Sequence, residues 1–294
     1  MSLEDTLSGW TEPSSATEQE KQDRTERMIR EAVDEHPAFD DCNLSVFATG
    51  SYANNTNVRT DSDVDIAVQC HDVMYWEEAT TGAHPSSTPY TGMWTPEKLR
   101  SELRAALGAK FPSQVDSSGT VAFHVNCGSC RVDADVVPCF DYRYYFSPTS
   151  HRDGTRIVST AGRHFENYPA QHLEQGRYKN NSTNTRYKKA VRILKRASNV
   201  MEEKAVHRAV PSFFVESLAY NCPNSIISGS TWTEVVRNIL RHVWNELQGE
   251  EPTDEGLRWH EANHVKFLFH PAQKWTRADG RDFVSAAWDH LELG

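Results

Sequence analysis

Paired aspartates in the first third of the chain are the residues best suited to hold metal ions. Asp63 and Asp65 flank Val64 at the start of the apolar-rich segment 63–68, which reads as a strand. Residues two apart on a strand point to the same face, so these two carboxylates lie side by side. Neighbouring carboxylates repel each other unless a cation separates them, and hard oxygen ligands of this kind suit Mg²⁺.

A third acid is expected from a neighbouring strand. Residues 121–125 and 131–137 predict two antiparallel strands joined by a turn at 126–129, and the second strand carries Asp133 and Asp135 on one face. Three converging carboxylates can hold two divalent ions, which activate a hydroxyl and stabilise a leaving pyrophosphate. Either aspartate satisfies this pattern.

Gly50 and Ser51 precede the paired aspartates by about a dozen residues and could bind phosphate. A glycine allows the backbone to approach a phosphate closely, and a serine hydroxyl with exposed N–H groups can cradle its oxygens. A helix beginning in the segment 52–56 would strengthen such a site. The combination predicts a site for the triphosphate of a nucleotide.

The elements that must position these residues change in character along the chain. Residues 1–14 are polar and expected to be loose, 84–92 are rich in Pro, Ser, Thr and Gly and predict a loop, and 44–48 predict a strand. Thr95-Pro96 is typical of a helix start, and that helix should run to about residue 110. The remaining predicted helices span about 17–33, 165–175, 183–204, 211–221, 232–248 and 280–292. We therefore expect a mixed α/β core over 1–162 and a helical lobe over 163–294.

Composition and charge exclude several classes of protein. A formal net charge of −10 disfavours a protein that binds long nucleic acid, where a basic face is the usual footprint. No apolar run approaches the roughly 20 residues that span a bilayer, and no signal peptide is visible. Six irregularly spaced cysteines favour a reduced, cytoplasmic chain, and Cys127 and Cys130 fit a hairpin turn better than a zinc site, because no second pair follows.

The acidic motifs resemble those of a known superfamily. Gly50-Ser51 followed by Asp63-Val64-Asp65 resembles the signature of polymerase-β-type nucleotidyltransferases. The segment that begins at Asp135 resembles the one carrying the third catalytic aspartate of 2′-5′-oligoadenylate synthetases. This resemblance favours Asp135 over Asp133 as the third metal ligand.

Segments 167–169, 186–195 and 211–218 are similar to those of bacterial CD-NTases, the cyclic GMP–AMP synthase-like enzymes of anti-phage systems. The resemblance implies an α+β fold, with a polymerase-β-like core of mixed sheet and helices, a C-terminal helical lobe and the active site in the cleft between. It implies a cyclic di- or trinucleotide made from NTPs, ATP among them, with two Mg²⁺ ions for which Mn²⁺ can substitute. It also implies a downstream effector that senses the product.

Further residues gain roles from this resemblance. Lys188 and Lys195 share one face of the predicted helix with Arg192, and in the family a lysine from this helix contacts phosphate, so Lys195 is favoured and then Lys188. Ser212 corresponds to a phosphate-binding serine. Phe213 replaces the family's base-stacking tyrosine and keeps the ring without the hydroxyl. Some relatives are conjugated through the C-terminus, which makes Gly294 a candidate for conjugation machinery.

Two other functional classes remain open at this point. A nucleotidyltransferase of a different kind would modify an RNA end, a protein or a small molecule. A non-catalytic nucleotide-binding regulator would keep the fold but should have lost the acids, which are intact here.

Overall fold

The computed structural model of the chain describes residues 2–58, 63–85 and 90–294. Within these residues, alternating and continuous apolar segments form the strands of a seven-stranded mixed sheet. The strands are β1 (Leu44–Ala48), β2 (Val64–Glu78), β3 (Val115–Asp116), β4 (Phe123–Val125), β5 (Ala134–Ser147), β6 (Ser150–Val158) and β7 (His164–Asn167). The order β1-β2-β5-β4-β3 forms the main path, and β6 pairs with β5 and with β7.

Strands β2 and β5 are long, parallel and central, and they carry the aspartates. Their apolar residues Val64, Ile66, Val68, Ala134 and Val136 are buried. A central strand that is covered on its faces reads as a near-continuous apolar run, which explains the sequence of both segments. The predicted hairpin is confirmed, because β4 pairs antiparallel with the start of β5.

The helices are α1 (Leu3–Gly9), α2 (Ala16–Asp34), α3 (Gly50–Ala53), α4 (Pro96–Lys110), α5 (Pro169–Ser182), α6 (Arg186–Glu203), α7 (Ser212–Tyr220), α8 (Asn224–Ile227), α9 (Trp232–Glu246) and α10 (Arg277–His290). The chain divides into two compact units. A sheet unit comprises Ser15–Ala53 and Arg59–Ala170, and a helical unit comprises Met1–Ser14, Asn54–Val58 and Gln171–Gly294. No helix among the described residues is both long enough and apolar enough to span a membrane.

Local capping signals predicted several elements correctly. The Thr95 side chain accepts a hydrogen bond from the Lys98 backbone N–H, Pro96 occupies the first turn, and α4 ends at Lys110 as expected. The strand at 44–48 is confirmed, and so is the helix predicted over about 17–33. Residues 86–89 of the predicted loop lie outside the described residues.

Two sequence predictions are wrong. The helix expected at 165–175 begins only at Pro169, because the preceding residues form β7 and pair with β6. Residues 1–14 are not loose: α1 starts with a capping box between Ser2 and Asp5, and the Leu7 side chain is fully buried in the core of the helical unit.

Candidate active site

Register between β2 and β5 brings the predicted acids together. Asp65 lies directly opposite Asp135 in the parallel pair, and Val64 lies opposite Ala134. Residues paired on adjacent strands point to the same face of the sheet, so the Asp65 and Asp135 carboxylates lie on one face. The preference for Asp135 agrees with this register.

Asp63 and Asp135 form a compact group with His124. One ligand atom from each of these three residues lies within 4.8 Å of the others, which makes the group able to hold a metal ion. His124 stands opposite Asp135 in the antiparallel β4–β5 pair, and its Nδ1 lies 3.0 Å from Asp135 Oδ1. Its Nε2 lies 3.6 Å from Asp133 Oδ1, and the Cys127 backbone N–H donates to that same oxygen. Asp133 therefore already has protein partners.

The electrostatics of the group favour a bound cation. Partial desolvation raises the pKa of the Asp63 carboxyl, and the negative charge of Asp135 raises it further. The hydrogen bond that the His124 imidazole donates to Asp135, together with the charge of that carboxylate, raises the pKa of His124. A divalent cation would relieve the carboxylate repulsion, and carboxylate oxygens are the ligands that hard cations prefer. The donor set therefore fits a metal ion.

Position 50 requires a glycine because its backbone lies close to the Asp65 side chain. Its φ of +65° is a conformation that L residues with a side chain rarely adopt. A Cβ atom at this position would lie 2.1 Å from Asp65 Oδ2, and the Thr49 backbone N–H donates to the Asp65 carbonyl at 2.8 Å. The Gly-Ser motif is thus packed against the strand that carries the acids. Ser51 is half-buried in the four-residue helix α3, which begins at Gly50 rather than in the predicted segment 52–56.

Lys188, Arg192 and Lys195 share one face of α6 but lie in two different environments. Lys188 is half-buried, and burial lowers the pKa of its ammonium. Arg192 is only 4% exposed; its Nε donates to the Thr11 carbonyl and its Nη1 to the Asn55 carbonyl. Burial lowers the pKa of Arg192 to about 10. The shared helix face was predicted correctly, but spacing alone did not reveal that most of this face is buried.

Lys195 belongs to a buried polar network centred on Glu216. The Lys195 Nζ is 2.9 Å from Glu216 Oε2 and 3.0 Å from Thr56 Oγ1, and both charged side chains are almost fully buried. Asn54 Nδ2 donates to Glu216 Oε1 at 2.6 Å, and His172 Nε2 lies 2.8 Å from the same oxygen. Burial would raise the pKa of Glu216, but the charges of Lys195 and His172 outweigh it and hold that pKa well below its usual value.

Ser212 and Phe213 open α7. Ser212 is exposed in the first turn, and the Phe213 ring is half-buried. That ring meets His172 edge-on at 5.3 Å between centroids and lies 6.4 Å from the Trp275 ring. Phe214, the next residue of α7, is fully buried. Phe213 is therefore held by aromatic neighbours and still has part of its surface accessible.

Sequence reasoning missed the surroundings of these residues. His124 was not among the predicted metal-binding residues, and it is hydrogen-bonded to Asp135 and belongs to the converging group. Its place opposite Asp135 in the predicted hairpin was the available signal. Glu216 had no local signal, because its partners Thr56 and Asn54 are about 160 residues away in the sequence. Among the described residues, the groups with converging ligand atoms do not include Cys127 or Cys130.

Comparison with known proteins agrees with the geometry. Residues 174–292 match the family model of the cGAS/DncV-like nucleotidyltransferase C-terminal helical domain. The chain is 34% identical to the cyclic dipyrimidine nucleotide synthase CdnE of Legionella pneumophila, over 98% of each chain. It is 33% identical to the enzyme of the same name from Cecembia lonarensis, over 99% of this chain and 98% of the relative.

A solved structure has a similar fold. The CdnE cyclic dinucleotide synthase of Elizabethkingia meningoseptica with GTP and Apcpp superposes with a TM-score of 0.81 at 28% identity, over 98% of each chain. The mixed sheet, the helical unit and the similarity along nearly the full length point to one family. The chain belongs to the cGAS/DncV-like nucleotidyltransferases, the CD-NTases.

Proposed function

We propose that this CD-NTase joins two nucleoside triphosphates into a cyclic dinucleotide that acts as a second messenger in anti-phage defence. One observation carries the proposal: Asp63, His124 and Asp135 converge within 4.8 Å, and Asp65 stands opposite Asp135. Intact acids argue against a non-catalytic regulator. The near full-length similarity to named cyclic nucleotide synthases supports this product over a modified RNA end, protein or small molecule.

Asp63, Asp65 and Asp135 would hold the metal, which we propose to be two Mg²⁺ ions. When bound, such ions lower the pKa of an acceptor hydroxyl and offset the charge of the triphosphate. Asp135 would accept the proton of the attacking 2′- or 3′-hydroxyl, and the His124 hydrogen bond at 3.0 Å fixes the orientation of its carboxylate.

The nucleotide contacts follow from the accessibility of each side chain. Ser51 and Ser212 would donate to phosphate oxygens, and the accessible part of the Phe213 ring would stack on a base. We propose Lys188 as the direct phosphate contact, because its side chain is only half-buried, whereas Lys195 is 2% exposed and held by Glu216. Lys195 would act only through the positions of Glu216 and Thr56, because these two residues enclose its ammonium.

The bases are proposed to be pyrimidines. Two relatives at 34% and 33% identity are named cyclic dipyrimidine nucleotide synthases. The solved relative at 28% identity was captured with GTP and Apcpp, so purine products are the alternative to be tested.

Labelled NTPs test the proposal directly. Purified protein would be incubated with each NTP pair and Mg²⁺ or Mn²⁺, treated with phosphatase and examined by mass spectrometry. A phosphatase-resistant cyclic dinucleotide containing pyrimidines is the expected product. Tailed RNA or labelled protein would support another transferase class, and no product under any condition would favour a regulator. The Asp63→Asn, Asp65→Asn double variant serves as the folded, inactive control.

Two partners complete the proposal. An effector that senses the cyclic product would act downstream, and conjugation machinery would act at Gly294. Gly294 is exposed, whereas the Leu291 and Leu293 side chains are buried in the core of the helical unit. Conjugation would therefore need the last turn to detach. Intact-mass measurement of protein purified from its host would detect the adduct.

A further inference from the structure

Two cysteines and an aspartate converge in the sheet unit, on residues that the proposed function does not use. The Cys42 and Cys70 sulfur atoms lie 3.7 Å apart, and these sulfurs and an Asp72 carboxylate oxygen all lie within 4.8 Å of one another. Cys70 is fully buried, Cys42 is half-buried and Asp72 is exposed. The group thus opens to solvent on the carboxylate side.

The distance between the Cys42 and Cys70 sulfurs suits two thiolates that bind the same metal ion. Two thiolates about 2.3 Å from a tetrahedral Zn²⁺ stand about 3.8 Å apart, close to the separation found here. Two sulfurs and one carboxylate oxygen supply three ligands, which leaves a fourth position for water. Thiolate ligands select soft or borderline metals and are poor ligands for Mg²⁺.

A break in the strand pairing places backbone N–H groups next to the Cys70 sulfur. The register of β2 against β5 shifts between Cys70 and Met74, so residues 71–73 have no partner on β5. The backbone N–H groups of Asp72 and Val73 instead donate to the Cys70 sulfur. Burial raises the pKa of both thiols, that of Cys42 well above its usual value, and these two hydrogen bonds offset the effect only in part at Cys70. A bound cation would supply the remaining stabilisation of the thiolates. Backbone donors of this kind stabilise the thiolate form that a metal requires.

The two sulfurs are not bonded to each other. Their separation of 3.7 Å is far longer than the about 2.05 Å of a disulfide bond. Cys42 lies outside β1, and its backbone N–H donates to the Phe39 carbonyl at 3.0 Å. Metal binding and a disulfide are separated experimentally by the redox state of the chain.

The neighbouring histidine is already engaged. His71 Nδ1 lies 2.8 Å from Asp141 Oδ1 and its Nε2 lies 2.8 Å from Ser45 Oγ. Both ring nitrogens therefore have protein partners, which leaves the two sulfurs and Asp72 as the donor set. The Asn43 backbone N–H donates to Asp72 Oδ2 at 3.2 Å and helps to orient that carboxylate.

We propose that Cys42, Cys70 and Asp72 form a binding site for a thiophilic divalent metal ion such as Zn²⁺, separate from the acidic site. Binding converts two thiols to thiolates and releases their two protons to solvent, with no change of oxidation state. The ion would join the start of β1 to the irregular segment of β2.

Cobalt(II) is the probe, because thiolate ligands give it a charge-transfer band that carboxylate sites lack. The full chain would be titrated under a phosphine reductant with excess Mg²⁺ to occupy hard-ligand sites. We expect one Co²⁺ per chain with the thiolate band, displaced by Zn²⁺. Cys42→Ser should abolish the band. Asp72→Asn, at an exposed position, should weaken binding by roughly tenfold or more, since losing even an outer partner of a ligand costs about 10–100-fold.

The exposed cysteine pair provides the matched control. A Cys127→Ser, Cys130→Ser double variant removes two thiols and should leave the band unchanged. The proposal is overturned if the wild type shows no band, if Cys42→Ser retains it, or if the control variant loses it. It is also overturned if the reduced chain binds no cobalt while the air-oxidised chain yields a Cys42–Cys70 linked peptide. Circular dichroism would establish that each variant is folded.

Discussion

Gly50→Ala isolates the contact between the Gly-Ser motif and the acid strand. The added Cβ would lie 2.1 Å from Asp65 Oδ2 and 3.0 Å from its carboxyl carbon, so the carboxylate must retreat by about 1 Å to reach an ordinary contact. A misplacement of about 1 Å can reduce the rate by about 100-fold. The expected loss in kcat/KM is therefore about 100-fold, or about 2.7 kcal/mol.

A second cost acts on stability rather than on catalysis. At a φ of +65°, a residue with a side chain costs about 1–2 kcal/mol relative to glycine. Gly162→Ala is the matched control, because Gly162 has a φ of +74° in the same unit and no atom within 4 Å of its added Cβ. Both variants should lose similar free energy of unfolding, but only Gly50→Ala should lose activity.

The assay combines steady-state synthesis of the cyclic product with chemical unfolding of the same preparations. Gly162→Ala should keep kcat/KM within about threefold of the wild type, since its cost is confined to the backbone. Activity near the wild-type level in folded Gly50→Ala would show that the contact with Asp65 has no role in catalysis. An equal loss of activity in Gly162→Ala would refute it too.

Three further predictions concern residues around the site. Glu216→Gln should lower the free energy of unfolding near pH 7 by about 3–5 kcal/mol, because it leaves a buried ammonium without its anion. The folded pKa of Glu216 lies below the unfolded value of 4.5, so the free energy of unfolding of the wild type should decrease as the pH falls below about 5. Chemical unfolding of the variant should show a smaller decrease over the same pH range. Phe213→Ala should raise the KM for NTP by roughly 5- to 150-fold, the equivalent of about 1–3 kcal/mol of stacking, whereas Phe213→Tyr should keep the wild-type KM. The same KM in Phe213→Ala and the wild type would exclude a base-stacking role for Phe213. His124→Ala should weaken Mn²⁺ binding by about 10–100-fold in calorimetric titration, because Asp135 loses the partner that orients it. Unchanged binding would show that His124 is dispensable.

Local patterns in the sequence predicted the acid-bearing strands well. The two-residue spacing of Asp63 and Asp65 and the apolar residues between and after them placed β2, and the hairpin pattern placed β4 and the start of β5. The Thr95 cap gave the exact helix start at Pro96. These signals succeed because they depend only on neighbouring residues.

The features that the sequence did not predict depend on contacts between residues remote in sequence or on weak local signals. Spacing put Lys195 on a shared helix face but could not show that Glu216 and Thr56 would enclose its ammonium. The segment before Pro169 became a strand because β6, which was not predicted, supplied a pairing edge. The start of α1 did have a local signal, the Ser2-x-x-Asp5 capping box, and the polar composition of the first residues obscured it.

The most direct test of the acidic site is anomalous diffraction from crystals grown with Mn²⁺ and a non-hydrolysable NTP. We expect manganese peaks coordinated by carboxylate oxygens of Asp63, Asp65 and Asp135, and none at these positions in the Asp63→Asn, Asp65→Asn variant. A nucleotide-bound crystal with no manganese at these three aspartates, or with manganese held only elsewhere, would contradict it.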